Sequence, residues 1–174
     1  MLSFDIRALE SHAAVVDDEL AANDPVWRDG DPKPEGAVHV TGRLSVAGPG
    51  RFYWHGRIEG SVALDCSRCL TPTTAGVNDE THIIFADGGS DGEDETTDDP
   101  DVYQLDPQAQ ELDLRPAIRE QWLLSAPSFA LCREDCKGFC PRCGEDLNAG
   151  PHDCSQEEAD PRWAALRKLK ESSK

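Results

Sequence analysis

The spacing of the cysteines constrains this chain more than any other feature. Seven are present, as Cys66-x2-Cys69, then Cys132-x3-Cys136-x3-Cys140-x2-Cys143, then Cys154 alone. Apart from Cys66, none sits in a periodic apolar pattern. A disulfide framework belongs to an oxidising compartment. The opening residues MLSFDIRALESHAAVVDDEL instead carry Asp5, Glu10, Asp17, Asp18 and Glu19 where a signal peptide has its apolar centre. No run approaches the roughly 18 apolar residues that cross a bilayer. The expectation is therefore a cytoplasmic chain with no membrane partner, and in that setting such clusters bind metal.

Zinc suits these residues best. Zn²⁺ takes four soft donors in a tetrahedron at about 2.3 Å, and a two-residue spacer lets both sulfurs of a knuckle reach one ion. Cys140-Pro141-Arg142-Cys143-Gly144 has that form: Pro141 stiffens the turn, and Gly144 permits the tight backbone after the second sulfur. Two groupings are open. Cys132, Cys136, Cys140 and Cys143 lie within twelve residues and would close only short loops. Alternatively Cys66 and Cys69 pair with Cys140 and Cys143, as in a zinc ribbon, and staple the strands to the C-terminal segment. Cys154, with His152 two residues earlier, can replace a member of either set. An iron–sulfur cluster also uses four thiolates, but the spacing matches neither ferredoxin run. A thioredoxin-like role for Cys66-Ser67-Arg68-Cys69 expects a βαβ setting that the surrounding residues do not supply.

A structural ion fits better than a catalytic one, since all-thiolate sites are closed. The five His, at 12, 39, 55, 82 and 152, are dispersed, and none stands in a metalloprotease spacing with Glu. No hydrolase elbow or phosphate-cradling loop occurs. The expectation is no enzyme, no catalytic residues and no small-molecule substrate.

The rest of the chain reads as α+β. From Val38 the apolar residues alternate: Val38, Val40, Leu44 and Val46 precede a turn at Gly48-Pro49-Gly50. Trp54, Ile58, Val62, Leu64 and Cys66 then share the even-numbered face. Val77, Ile83 and Phe85 suggest a further strand after Thr71-Pro72, and Val102–Leu105 looks extended. Short turns between consecutive strands predict an antiparallel β-meander. Asp113 is placed to N-cap a helix with Pro116 in its first turn, with Leu114, Ile118 and Trp122 on one face and an end near Ala126. A second helix is expected from Asp160-Pro161. Three parts follow. Residues 1–36 form a segment with one short strand at Phe4 and Ile6. Residues 37–126 form an antiparallel β core with an acidic loop at 86–101 and one helix. Residues 127–174 form a Cys-rich zinc hook and a basic C-terminal helix.

Charge is unevenly spread. The whole chain of 174 residues carries a formal −17. Residues 1–160 hold 12 Lys and Arg against 33 acids, a charge of −21, and residues 161–174 hold five against Glu171, a charge of +4. Such an acidic surface gains no affinity for nucleic acid by broad counterion release. The loop ADGGSDGEDETTDDPD at 86–101 has eight acids and no large apolar side chain to order it. Phe52-Tyr53-Trp54, between Arg51 and Arg57, offers aromatic stacking to RNA, although Trp54 in register with Ile58 and Val62 reads as core.

Several stretches together carry a resemblance. Cys66-Ser67-Arg68-Cys69-Leu70 closes a strand, and Glu111-Leu112-Asp113-Leu114 leads into a helix ending Leu123-Leu124-Ser125-Ala126-Pro127. Leu131-Cys132-Arg133-Glu134-Asp135-Cys136-Lys137-Gly138-Phe139-Cys140-Pro141-Arg142-Cys143-Gly144 follows, then Asp146-Leu147-Asn148. Last comes Asp160-Pro161-Arg162-Trp163-Ala164-Ala165-Leu166. In this order they resemble the YceD family, described as large-subunit ribosomal RNA accumulation proteins, over roughly residues 38 to 170. The resemblance implies a bacterial or organellar cytosolic factor of ribosome biogenesis that supports accumulation of large-subunit (23S) ribosomal RNA. It also implies a link to a zinc-type ribosomal protein. In that reading Arg133, Lys137 and Arg142 of the hook, with Arg167, Lys168 and Lys170 of the basic helix, form a patch that contacts large-subunit ribosomal RNA or a ribosomal protein. The alternative is an adaptor whose acidic surface grips a basic ribosomal protein without touching RNA.

Overall fold

The computed structural model describes residues 1–87, 102–106 and 108–154. In chain order the elements are β1 (Ser3–Asp5), α1 (Ile6–Ser11), β2 (Ala14–Leu20), β3 (Val38–Gly48), β4 (Arg51–Asp65) and β5 (Pro72–Asp87). They continue with β6 (Val102–Leu105), β7 (Glu111–Asp113) and α2 (Arg115–Ser125). A five-stranded sheet runs β2-β3-β4-β5-β6, and β1 pairs separately with β7. The class is α+β, as expected from strands followed by a helix without β-α alternation.

The period-two pattern builds the sheet. Leu44 lies opposite Trp54, and Trp54 opposite Ile83, so one face collects apolar side chains. Trp54, Ile58 and Val62 are fully buried there with Val38, Val40 and Leu44. Phe52 also points inward, so of the Phe52–Trp54 run only Tyr53 faces out. Trp54 is core, as its register with Ile58 and Val62 implies, and Phe52 and Trp54 are not available for stacking on RNA. Close packing explains two glycines in the middle of the sheet. Gly42 pairs with Gly56, and a Cβ on Gly56 would fall 2.3 Å from the Thr41 carbonyl oxygen and 2.4 Å from Cζ2 of Trp54. Only a bare backbone leaves room for the indole.

Helix α2 closes the core over the inner face. Trp122 is fully buried, its indole N–H donates to the Pro32 carbonyl at 2.7 Å, and Trp27 meets it edge-on at 6.1 Å. Arg119 holds Asp31 through two bonds of 2.7 Å each. The segment before β3 is thereby wrapped over the helix, and Leu2, Leu9, Val16, Leu20 and Trp27 join the same core.

Four local expectations are corrected. Ile6 starts α1 and does not continue the strand of Phe4, because Asp5 caps the helix by accepting from Ala8 N–H at 2.9 Å. Leu114, not Asp113, occupies the cap position of α2; Asp113 ends β7, although its carboxylate still accepts from Arg115 N–H at 3.0 Å. Strand β6 lies parallel to β5, so the sheet is mixed and not a pure meander. Residues 88–101 separate these strands, and a parallel return needs a connection of about a dozen residues. Ala86 and Asp87 belong to β5, so the first two positions expected in the acidic loop are strand. The remainder of that loop and the helix expected from Asp160 lie outside the described residues.

Candidate metal centres

Strands β4 and β5 form a long hairpin whose far end is the first cysteine knuckle. Cys66 follows β4 directly. Its N–H donates to the Thr71 carbonyl at 2.9 Å and its carbonyl accepts from Leu70 N–H at 2.9 Å. Leu70 completes the turn with a φ of +56°, the one non-glycine residue in that region among those described.

The segment after α2 folds back on this tip through its backbone. Ser67 N–H donates to Ala130 at 2.8 Å, Phe139 N–H donates to Arg68 at 3.2 Å, and the Arg68 guanidinium donates to the Cys136 carbonyl at 2.6 Å. Gly138 makes the approach, with a φ of +73°; a Cβ there would stand 2.7 Å from the Arg68 carbonyl oxygen. These bonds place Cys132 and Cys136 against Cys66 and Cys69. Cys66 Sγ lies 3.8 Å from Cys136 Sγ, and Cys69 Sγ lies 3.6 Å from Cys132 Sγ. All four sulfurs fall within 4.8 Å of one another. A disulfide needs about 2.05 Å, whereas four thiolates at about 2.3 Å from one tetrahedral ion stand about 3.8 Å apart. Cys66, Cys69 and Cys136 are buried.

A second cluster forms beyond the first. Cys140 opens another knuckle, its carbonyl accepting from Gly144 N–H at 2.9 Å, with Gly144 at a φ of +75°. The chain then returns past Asn148, bringing His152 and Cys154 to it. Cys140, Cys143, His152 and Cys154 all place a donor atom within 4.8 Å of the others, and Cys143 Sγ lies 3.5 Å from His152 Nε2. His152 Nδ1 meets a Glu145 carboxylate oxygen at 2.9 Å, which fixes the ring with Nε2 toward the sulfurs.

Both sets suit a metal that prefers soft and borderline donors: four sulfurs in one, three sulfurs and an imidazole in the other. Their electrostatics agree. Backbone N–H groups, first that of Cys132 and then those of Arg68 and Cys69, draw the Cys66 thiol down to about 6. The N–H groups of Cys143 and Arg142 do the same for Cys140, also to about 6. Such thiolates burden their neighbours. Cys132 is pushed up to about 12 by the Cys69 sulfur and by burial, and Cys154 to about 11 by the Cys140 sulfur and by burial. A divalent cation among the four donors reverses that conflict, because a coordinated thiol is deprotonated outright.

The six cysteines named from spacing all stand in these clusters, but they are divided differently from either expected grouping. Cys132 and Cys136 part from Cys140 and Cys143, and the latter pair does not join Cys66 and Cys69. Short-loop entropy, the argument for the first grouping, is outweighed because the β4–β5 hairpin and the bonds from Ser67 and Arg68 already bring the distant residues together. His152 and Cys154, expected only as replacements, complete the second set.

Asn148, which no ligand spacing marks, joins the two loops. Its Oδ1 accepts from Arg133 Nη2 and from Lys137 N–H at 2.8 Å each, and its Nδ2 donates toward Cys136 Sγ at 3.7 Å. Arg133 is thus tied into the hook, pairing also with Asp135 at 3.3 Å, while Lys137 and Arg142 are exposed. Arg167, Lys168 and Lys170 lie outside the described residues.

Residues 54–170 match the family model described as Large ribosomal RNA subunit accumulation protein YceD. An uncharacterised protein of Mycobacterium tuberculosis is 35% identical over 113 residues, covering 63% of this chain and 53% of that protein. The chain therefore spans about half the length of the mycobacterial relatives it matches. An Arabidopsis thaliana protein named Large ribosomal RNA subunit accumulation protein YCED homolog 1, chloroplastic, is 35% identical over 71 residues, 41% of this chain and 22% of that one. The uncharacterised protein YlbN of Bacillus subtilis is 25% identical over 167 residues, 95% of this chain and 93% of YlbN. No solved structure matches.

Proposed function

The chain belongs to the YceD family of large ribosomal RNA subunit accumulation proteins, and on that premise we propose that it is a non-enzymatic factor of ribosome biogenesis. It supports accumulation of large-subunit ribosomal RNA through a hook held by two structural zinc ions. The observation that carries this reading is the convergence of seven cysteines and His152 into two four-donor clusters, one of which fastens residues 130–139 to the tip of β4–β5. Cys66, Cys69, Cys132 and Cys136 would hold one ion, and Cys140, Cys143, His152 and Cys154 the other. A bound ion supplies the cross-link that this segment lacks in apolar side chains. Both donor sets are complete with four protein ligands, which favours a structural over a catalytic role.

The fastened hook carries the exposed side chains of Lys137 and Arg142, and Arg133 paired with Asp135, on a chain with a formal charge of −17. In this reading these three basic residues, and separately Arg167, Lys168 and Lys170 of the C-terminal sequence, are the ones that contact ribosomal RNA or a ribosomal protein. Cytoplasmic placement belongs to the same reading; among the described residues no helix is long and apolar enough to cross a membrane.

The test is loss and rescue. Deleting the gene in its own host should lower large-subunit relative to small-subunit ribosomal RNA. The wild-type chain should restore the ratio, and Cys66→Ser with Cys136→Ser should not. An unchanged ratio after deletion overturns the proposal. The acidic surface favours a second reading, an adaptor for a basic ribosomal protein. Capture of such a protein that survives nuclease and is unaffected by changing Arg167, Lys168 and Lys170 to Glu selects it over direct RNA contact.

A further inference from the structure

The two cysteine knuckles make the same turn but end it with different residues. In Cys66-Ser67-Arg68-Cys69-Leu70 and in Cys140-Pro141-Arg142-Cys143-Gly144, the last N–H donates to the first cysteine carbonyl at 2.9 Å. The last residue is left-handed in both, with a φ of +56° at Leu70 and +75° at Gly144. Glycine meets that conformation without strain, and leucine does not. The backbone therefore gives no reason for Leu70, and neither does the core, because the residue is 65% exposed. Two more large apolar side chains are exposed at the same seam, Phe129 at 59% and Phe139 at 39%. Phe129 precedes Ala130, whose carbonyl accepts from Ser67 N–H, and Phe139 N–H donates to the Arg68 carbonyl. Knuckle and hook thus meet where three apolar side chains face water.

We propose that Leu70, Phe129 and Phe139 seat the C-terminal segment of this same chain, as a helix from Asp160-Pro161 that lays Trp163, Leu166 and Leu169 on them. The segment begins close by. Cys154, the last described residue, shares a cluster with Cys140, the chain neighbour of Phe139. Six more residues lead to Asp160, and at about 3.3 Å each they span up to about 20 Å. A helix of about ten residues is marginal alone in water and needs a surface for its apolar side. Charge favours this occupant. Residues 161–174 carry +4, whereas residues 130–154 hold three Lys and Arg against five acids, a charge of −2. The hook of a second copy would instead bring like charges together. The seat rests on exposure, chain connection and charge, independently of the ribosomal reading. Its consequence for that reading is to bring Arg167, Lys168 and Lys170 onto the hook.

Acrylamide quenching of tryptophan fluorescence in the full chain tests the seat, because Trp27, Trp54 and Trp122 are buried and Trp163 is the fourth. The difference between wild type and Trp163→Phe isolates the Trp163 signal. Its quenching should be weak in the wild type. Leu70→Gly, which keeps the turn, should raise it toward that of free N-acetyltryptophanamide, and so should Phe129→Ser. Leu166→Glu should release the segment from its own side. Bound zinc, measured in the same samples, should be equal in Leu166→Glu and wild type, which separates loss of the seat from loss of the metal centres. Wild-type Trp163 quenched like the free amide, or no change in both Leu70→Gly and Phe129→Ser, would overturn the seat. Protection that disappears on dilution together with a dimer would overturn it in favour of a second copy.

Discussion

Replacing Gly138 with Ala tests how the hook is fastened. Gly138 adopts a φ of +73°, and a Cβ would stand 2.7 Å from the Arg68 carbonyl oxygen and 3.0 Å from Arg68 Cβ. The conformation alone costs Ala about 1 kcal/mol. The collision is with backbone, which no rotamer change relieves, and crowding of this kind adds about 1–2 kcal/mol. Because the ligands converge only when the hook is seated, the whole 2–3 kcal/mol falls on the metal-bound state of the first cluster. At about 1.4 kcal/mol per tenfold change, affinity there should drop roughly 30- to 150-fold. Gly144 is the control. Its φ is +75°, but a Cβ there meets nothing within 4 Å, so Gly144→Ala bears only the conformational cost of about 1 kcal/mol. It should weaken the second cluster roughly fivefold and leave the first unchanged. Competition against a chromophoric chelator, in a Cys140→Ser, Cys143→Ser background that isolates the first cluster, reads the Gly138 effect directly. Undiminished affinity in Gly138→Ala would refute the close approach of hook and knuckle.

Four further outcomes follow from the same geometry. A strong chelator should speed amide exchange over residues 130–147 while β3 and β4 stay protected, because the main core ends at Trp122 and its neighbour Leu123. Asn148→Ala should weaken the first cluster by roughly tenfold in the chelator assay, since its amide supports Cys136. Gly56→Ala should lower stability by about 3 kcal/mol, read from the urea midpoint, because its Cβ has no space between Thr41 and Trp54. Asp31 is held below the usual carboxylate range by the Arg119 guanidinium. Its contribution is therefore complete above the unfolded value of about 3.9 and is lost as pH falls through the lower folded value. Asp31→Asn should be less stable at neutral pH and show a shallower loss below pH ~4, in urea midpoints measured against pH.

Legibility tracked how local the determining interactions are. Trp54, Ile58 and Val62 announce a buried face through spacing alone, and Pro116 with Ile118 and Trp122 marks α2. Strand β2 has no local signature because AVVDDEL places three acids in a row, and only the pairing of Asp18 with Val40 and Leu20 with Val38 reveals it as an edge strand. The spacers mark the cysteines as candidate ligands, but they do not encode the partition into two clusters. It depends on where the hairpin tip meets residues 130–139, which no local spacing encodes. His55 and His82 looked dispersed for the same reason: strand register sets them face to face, although 26 residues lie between them.

The long reach of the first cluster has a consequence during synthesis. Cys69 and Cys132 are 63 positions apart, and Cys66 and Cys136 are 70 apart. At about 5–20 residues per second, a growing chain waits roughly 3–14 s between making the first pair of these thiols and the second. Over that interval Cys66 and Cys69 sit at the end of a nascent hairpin with half a binding site. On the proposed metal-bound reading, exposure to peroxide is then most damaging to newly made copies, and finished molecules, with a metal on their sulfurs, should survive the same dose.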